Sequence, residues 1–212
     1  GICDNIGQVQ QADACSTPLP DHSAGVWFTD PPYYDAISYA DLSDFFYVWL
    51  KRIMQGHPLL RDVFDVTNSL TPKTAEIIQD LSRKSNGGVK DRQYFEYKMS
   101  KAFTEGHRIL FNEGVGCVVF AHKTTEGWEA LLSGMILGGW VITGSWPITT
   151  ELGHRIRARD SASLTASVHL VCRPRTEDKT GDWGEVLREL PKRVGDWMER
   201  LQSEGIRGAD LV

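Results

Sequence analysis

Gly25-Val-Trp-Phe-Thr-Asp-Pro-Pro-Tyr-Tyr-Asp35 is the stretch that decides the reading of this chain. Gly25–Thr29 is a short apolar, β-prone run, and Asp30-Pro31-Pro32 must end it, because proline cannot continue a ladder. A buried strand that stops this abruptly before a helix forms the usual ligand-binding rim of an open α/β sheet. Such a rim suits an exocyclic amine. The Asp30 carboxylate can accept one amino hydrogen and the Pro31 carbonyl the other, which favours a pyramidal nitrogen with a free lone pair. Pro31 and Pro32 fix φ and remove competing N–H donors, so the carbonyl is held still. Tyr33 offers a flat face to an extruded base, worth ~1–3 kcal/mol by alanine substitution. A proline turn before a helix would explain Asp-Pro-Pro-Tyr alone. The strand before it and the buried strands after it favour the chemical reading.

Downstream, Leu42, Phe45, Phe46, Trp49, Leu50 and Ile53 recur at helical spacing, which predicts one amphipathic helix ending at Gly56. The aromatic trio Phe45, Phe46 and Trp49 reads as core. Residues 57–91 read as an insertion with one short helix near Pro72–Leu81 and a loop-like Arg83–Gly88. Then follow a predicted helix Arg92–Phe111, a buried strand Gly116–Ala121, a helix Thr124–Leu137 closed by Gly138-Gly139, and strands Trp140–Trp146 and Leu164–Arg173. This order predicts an α/β layer architecture with a terminal hairpin. In Asp182–Ser203, residues Trp183, Leu187, Leu190, Val194, Trp197 and Leu201 alternate spacings of four and three. They predict a helix bent or broken at Pro191, its stripe packed on the chain's own core. The resulting division is residues 1–175 as one domain and 176–212 as a helical segment.

The 212 residues suffice for one domain, and seven tryptophans with 41% hydrophobic residues exclude a disordered chain. No apolar run reaches the ~18–20 residues of a membrane span. Cys3, Cys15, Cys117 and Cys172 lie far apart with no C-x-x-C pair, so no zinc ribbon, metal site or disulfide framework is expected. Cys117 and Cys172 read as buried free thiols, which suits the reducing cytoplasm. The net charge of −5 conceals a polarity: residues 1–50 carry seven aspartates and no Lys or Arg, leaving +2 for the rest. An acidic chain is a poor bulk binder of nucleic acid. The exception is Arg155, Arg157 and Arg159, which could hold phosphates without reading sequence, or simply be solvated.

The run from Thr29 to Arg52, TDPPYYDAISYADLSDFFYVWLKR, resembles S-adenosylmethionine-dependent methyltransferases of DNA amino groups. Asp-Pro-Pro-Tyr is typical of the adenine-N6 enzymes. The closest resemblance is to the large bacterial adenine-specific DNA methylases that carry a zinc ribbon and a domain of unknown function. Gly144–Thr149 and Val168–Arg175 are similar to later segments of that group. The resemblance implies a seven-stranded sheet of order 3-2-1-4-5-7-6 with strand 7 antiparallel, here a partial sheet with strands 3 to 7. Gly25–Thr29 would be strand 4, Gly116–Ala121 strand 5, Trp140–Trp146 strand 6 and Leu164–Arg173 strand 7. It further implies Asp30, Pro31, Pro32 and Tyr33 as catalytic, and Asp13, at the end of strand 3, on the cofactor's adenine. The implied partner is double-stranded DNA with a flipped adenine.

Strands 1 and 2, with the glycine-rich cofactor loop, are expected to precede residue 1. Gly114-Val-Gly116, Gly138-Gly139 and Gly87-Gly88 each read as a helix end or linker instead. The chain is therefore expected to be the catalytic-motif half of the enzyme, inactive alone, with an open strand-4 edge that invites dimerisation. Tyr34, His122 and Trp146 are expected to contact substrate around the rim, together with the three arginines. His154 and His169 have no paired ligand and read as structural. Two rival classes remain: methylation of RNA bases or protein glutamine on the same fold, and a non-catalytic DNA-binding module.

Overall fold

A computed structural model describes residues 7–10, 12–54, 70–71, 73–85, 88–149, 166–176 and 181–205. Its centre is a four-stranded mixed sheet of order β1-β4-β6-β5, built from β1 (Ala24–Thr29), β4 (Leu110–Phe120), β5 (Trp140–Thr149) and β6 (Ala166–Pro174). β1 runs parallel to β4, with Phe28 opposite Cys117 and Thr29 opposite Val118. β6 is antiparallel to both β4 and β5, with Leu170 opposite Val118 on one side and Ser145 on the other. This four-stranded mixed α/β sheet is compatible with the expected architecture.

Two helices cover one face of the sheet. In α2 (Arg92–Ile109), Asp91 caps the first turn by accepting from the Tyr94 N–H at 2.8 Å. Its buried residues Phe95, Met99, Ala102, Phe103, Gly106 and Ile109 follow the helical period. α3 (Thr125–Leu137) begins at its Thr124 cap and ends at Gly138-Gly139, where Gly139 takes the φ of +85° that a side chain disfavours. Between sheet and helices lie Val118, Phe120, Leu131, Met135, Leu170 and Cys172, all buried. Burying each large aliphatic or aromatic side chain contributes about 1.5–3 kcal/mol. Trp27 of β1 stacks on Trp140 of β5 at 5.1 Å and meets Phe103 edge-on. The Trp140 Nε1–H donates to the Phe103 carbonyl at 2.8 Å, so burial leaves no indole donor unpaired. Cys172 is a buried free thiol, pushed up to about 12 by burial, and Cys117 is half-buried.

Several expectations are corrected. β4 begins at Leu110, not Gly116, because the end of α2 needs no turn of its own: the His22 and Ser23 N–H groups satisfy the Arg108 and Ile109 carbonyls at 3.0 and 2.8 Å. The expected helix near Pro72–Leu81 is absent across its described residues. The carbonyls of Lys73 and Glu76 instead accept from the buried Lys90 ammonium at 2.5 and 2.7 Å. Asp80–Ser85 (β2) then pairs with Gly88–Lys90 (β3) in a hairpin, where a loop was expected. No strand 3 forms among residues 7–10 and 12–16. The chain folds back at Asp13, whose carboxylate accepts from the Cys15 N–H at 2.8 Å, and Asp13 makes only an isolated bridge to Ser16. Among the described residues, β1 pairs on one edge only.

The two amphipathic helices depart furthest. α1 (Tyr39–Ile53) forms, but its aromatic stripe is not core: Phe45 is 64% and Phe46 65% exposed. The helix is held by its polar side. Asp44 accepts from the Thr71 N–H at 2.9 Å and from Lys73 at 2.7 Å, Asp41 pairs with Arg83, and Glu76 accepts from the Ala40 N–H. α4 (Trp183–Ser203) runs unbroken through Pro191 and buries none of its residues, so its stripe does not pack on the chain's own core.

Candidate functional site

Because β1, β4 and β5 are parallel to one another, their C-terminal ends share one rim. The Asp30–Asp35 turn follows β1 there, and Ala121–Thr124 follows β4. Thr29 is still in the ladder opposite Val118, so Asp30 is the first residue released from the sheet. Asp30 is exposed and Pro31 buried, while Tyr33 is half-buried, its ring edge-on to Phe120 at 5.4 Å. The turn's own hydrogen bonds run from the Tyr34 N–H to the Pro32 carbonyl and from the Ala36 N–H to the Tyr33 carbonyl. The Pro31 carbonyl accepts neither.

The acids of the front half are distributed unevenly in their commitments. Asp21 pairs with Arg108, Asp35 with His122, Asp41 with Arg83 and Asp44 with Lys73, while Asp13 closes its own turn. The Asp30 carboxylate alone among these has no hydrogen-bond or ion-pair partner among the described residues. Its charge acts on Tyr39, the first residue of α1. Burial raises the Tyr39 phenol above its ordinary value, and the Asp30 charge raises it further. The proximity of Tyr39 to Asp30 was not legible, since Tyr39 opens an ordinary amphipathic helix.

Tyr34 and His122 are placed at the rim but turned inward. Tyr34 adopts φ +54°, unusual for a bulky residue, and is only 3% exposed. Its ring meets Phe95 and His122 edge-on, and its hydroxyl donates to Glu126 Oε1 at 2.8 Å. Burial first, and then Glu126, pushes the phenol far above its usual range. His122 is 7% exposed and lies against Phe120, with Nε2 3.0 Å from Asp35 Oδ1 and Nδ1 3.0 Å from Thr124 Oγ1. Neither ring presents a free face on which a base could lie.

Trp146 is elsewhere. β5 continues to Thr149, so Trp146 stands within the ladder opposite His169, 65% exposed on the face that α2 and α3 leave open. Asp13 lies against α2, where the Cys15 thiol reaches the Lys98 carbonyl, and its carboxylate is already used by the Cys15 N–H. Arg155, Arg157 and Arg159 lie outside the described residues, as does His154. Among the described residues no cluster of His, Cys, Asp and Glu could hold a metal ion, and no helix is long and apolar enough to cross a membrane.

No family model and no curated protein matches this chain. Among solved structures, a Thermus thermophilus protein, named as a candidate DNA modification methylase, aligns over 85% of this chain at 11% identity with a TM-score of 0.39. The chain spans 58% of that protein's length.

Proposed function

We propose that this chain carries the amine-holding turn of a DNA adenine-N6 methyltransferase that uses S-adenosylmethionine. The observation that supports this reading is the Asp30 carboxylate. It is exposed at the C-terminal end of a parallel strand and is the one described acid of the front half left without a partner. In the proposed complex Asp30 accepts one hydrogen of the adenine amine and the Pro31 carbonyl accepts the other. Tyr33 stacks on the flipped base, its opposite contact with Phe120 keeping the ring from swinging away. The described residues do not fit the methyl donor. Asp13 is spent on its own turn, no described strand flanks β1 on its free edge, and neither described strand-to-helix junction at the rim, Asp30–Ser38 or Ala121–Thr124, contains glycine. The donor therefore belongs to elements other than these, and the free β1 edge is where additional strands, or a second copy of the chain, would pair.

The test is transfer to duplex DNA by the complete gene product, with N6-methyladenine read by mass spectrometry of the digested DNA. Asp30→Ala is expected to abolish the product. Methylation confined to RNA or to a glutamine peptide would move the substrate while keeping the turn. DNA binding without transfer to any acceptor would favour the non-catalytic class.

A further inference from the structure

The β4–α3 junction contains a directional hydrogen-bond chain. We propose that His122 is a positioning residue, fixed as the neutral imidazole with its proton on Nε2, and that it pins the Asp30–Asp35 turn through Asp35. Its catalytic consequence rests on the methyltransferase reading above; its tautomer does not.

The backbone N–H of Thr124 can only donate, and it points to Nδ1 at 3.2 Å. Nδ1 must therefore present its lone pair. The Thr124 hydroxyl agrees: it accepts from the Gly127 N–H at 3.3 Å, which leaves its own hydrogen for Nδ1 at 3.0 Å. The remaining proton lies on Nε2 and is donated to Asp35 Oδ1 at 3.0 Å, a charge-assisted bond to an acceptor-only carboxylate. The order is thus Thr124 to His122 to Asp35, with no freedom to reverse. A proton on Nδ1 would set two donors against each other.

The ring has little room to turn. Phe120 lies nearly parallel to it at 6.2 Å and Tyr34 edge-on at 5.6 Å. From the other side, a Cβ placed on Gly127 would come within 2.2 Å of Nδ1, so α3 can start this close only with glycine there. The second pin lies beside the first. The Tyr34 hydroxyl reaches Glu126 in the first turn of α3, one residue before Gly127. Residues 122–126 therefore grip two consecutive residues of the turn, Tyr34 and Asp35, while the ladder holds Thr29 at its other end. Asp30 and Pro31 lie between the two anchors. Asp35 is more than half exposed, so without His122 its carboxylate would be free to rotate into water.

Two measurements test this. Imidazole 15N shifts of selectively labelled protein are expected to show His122 with Nδ1 unprotonated and Nε2 protonated. A proton on Nδ1, or an averaged tautomer like that of an exposed histidine, would overturn the proposal. In methyl transfer by the complete gene product, His122→Phe keeps a buried ring but loses its three side-chain hydrogen bonds, and Gly127→Ala pushes the ring aside. Each is expected to lower kcat by about 10- to 100-fold with little change in KM for DNA, as small misplacements of reacting groups do. His122→Gln, whose amide N–H can still reach Asp35, is expected to recover most of the loss. Unchanged kcat in His122→Phe, or no recovery in His122→Gln, would contradict a positioning role. If the complete gene product without substitutions transfers no methyl group, the methyltransferase reading fails, and the 15N spectrum still decides the tautomer.

Discussion

The Asp30–Asp35 turn and the helices α1 and α4 carry comparably strong signals in the sequence, yet they end in opposite situations. The turn is short, proline-rich and without internal regularity. It is nevertheless gripped at both ends, by the Thr29 ladder position and by contacts from Tyr34 and Asp35 to residues 122–126. The helices have near-ideal apolar stripes, and both stripes face solvent among the described residues. Periodicity reports that a helix has an apolar face and says nothing about what meets that face. A rim turn needs no such partner, because covalent continuity with a strand held in the sheet already places it.

Substitutions on the two sides of this contrast should differ in size. Phe103→Ala empties a site between α2, Trp27 and Trp140 and is expected to cost about 3–5 kcal/mol in denaturant unfolding. A loss under ~1 kcal/mol would mean that this face of the sheet is not the core. Tyr34→Phe keeps the buried ring but removes the bond to Glu126, with an expected cost of about 1 kcal/mol in the same assay. No change would remove the Glu126 bond from what holds the turn, leaving Asp35–His122 and packing.

The third expectation concerns pH. Glu105 is held down at about 2, chiefly by the Arg108 hydrogen bond, with the Thr17 N–H and hydroxyl assisting against burial. Its folded pKa lies below its ordinary 4.5, so its contribution is complete above that value and is lost as pH falls toward 2. Unfolding measured against pH should therefore show wild type and Glu105→Gln converging through this acid window. Parallel curves would remove Glu105 from the account of how residues 17–21 are tied to α2. The smallest effect belongs to α4. Trp197→Ala is expected to change stability by no more than ~0.5 kcal/mol, since the side chain is 52% exposed on a helix that buries none of its residues. A loss of several kcal/mol would show that the stripe has a partner and would erase the contrast.

Legibility in the sequence followed the same division. The strand–proline boundary at Thr29-Asp30 was readable because proline excludes a ladder, and α3 because Thr124 and Gly138-Gly139 mark its ends. The start of β4 was not, since it depends on backbone bonds from His22 and Ser23, nearly ninety positions away. The β2–β3 hairpin was hidden because the decisive group, the Lys90 ammonium, is a buried charge that composition assigns to the surface. At the rim, the place of Asp30 and the prolines just beyond a strand end was legible from proline's exclusion from a ladder. The inward roles of Tyr34 and His122 were not, because Glu126 and Asp35 meet them across 92 and 87 residues of chain. Asp13 illustrates the converse: an acid at a plausible position whose carboxylate is consumed two residues later.

The proposed role of Asp30 in holding an amine is most directly tested by quantifying N6-methyladenine in duplex DNA treated with the complete gene product and its Asp30→Ala variant. The account expects product with the first and none with the second, at equal DNA binding. Equal product from both proteins would contradict it.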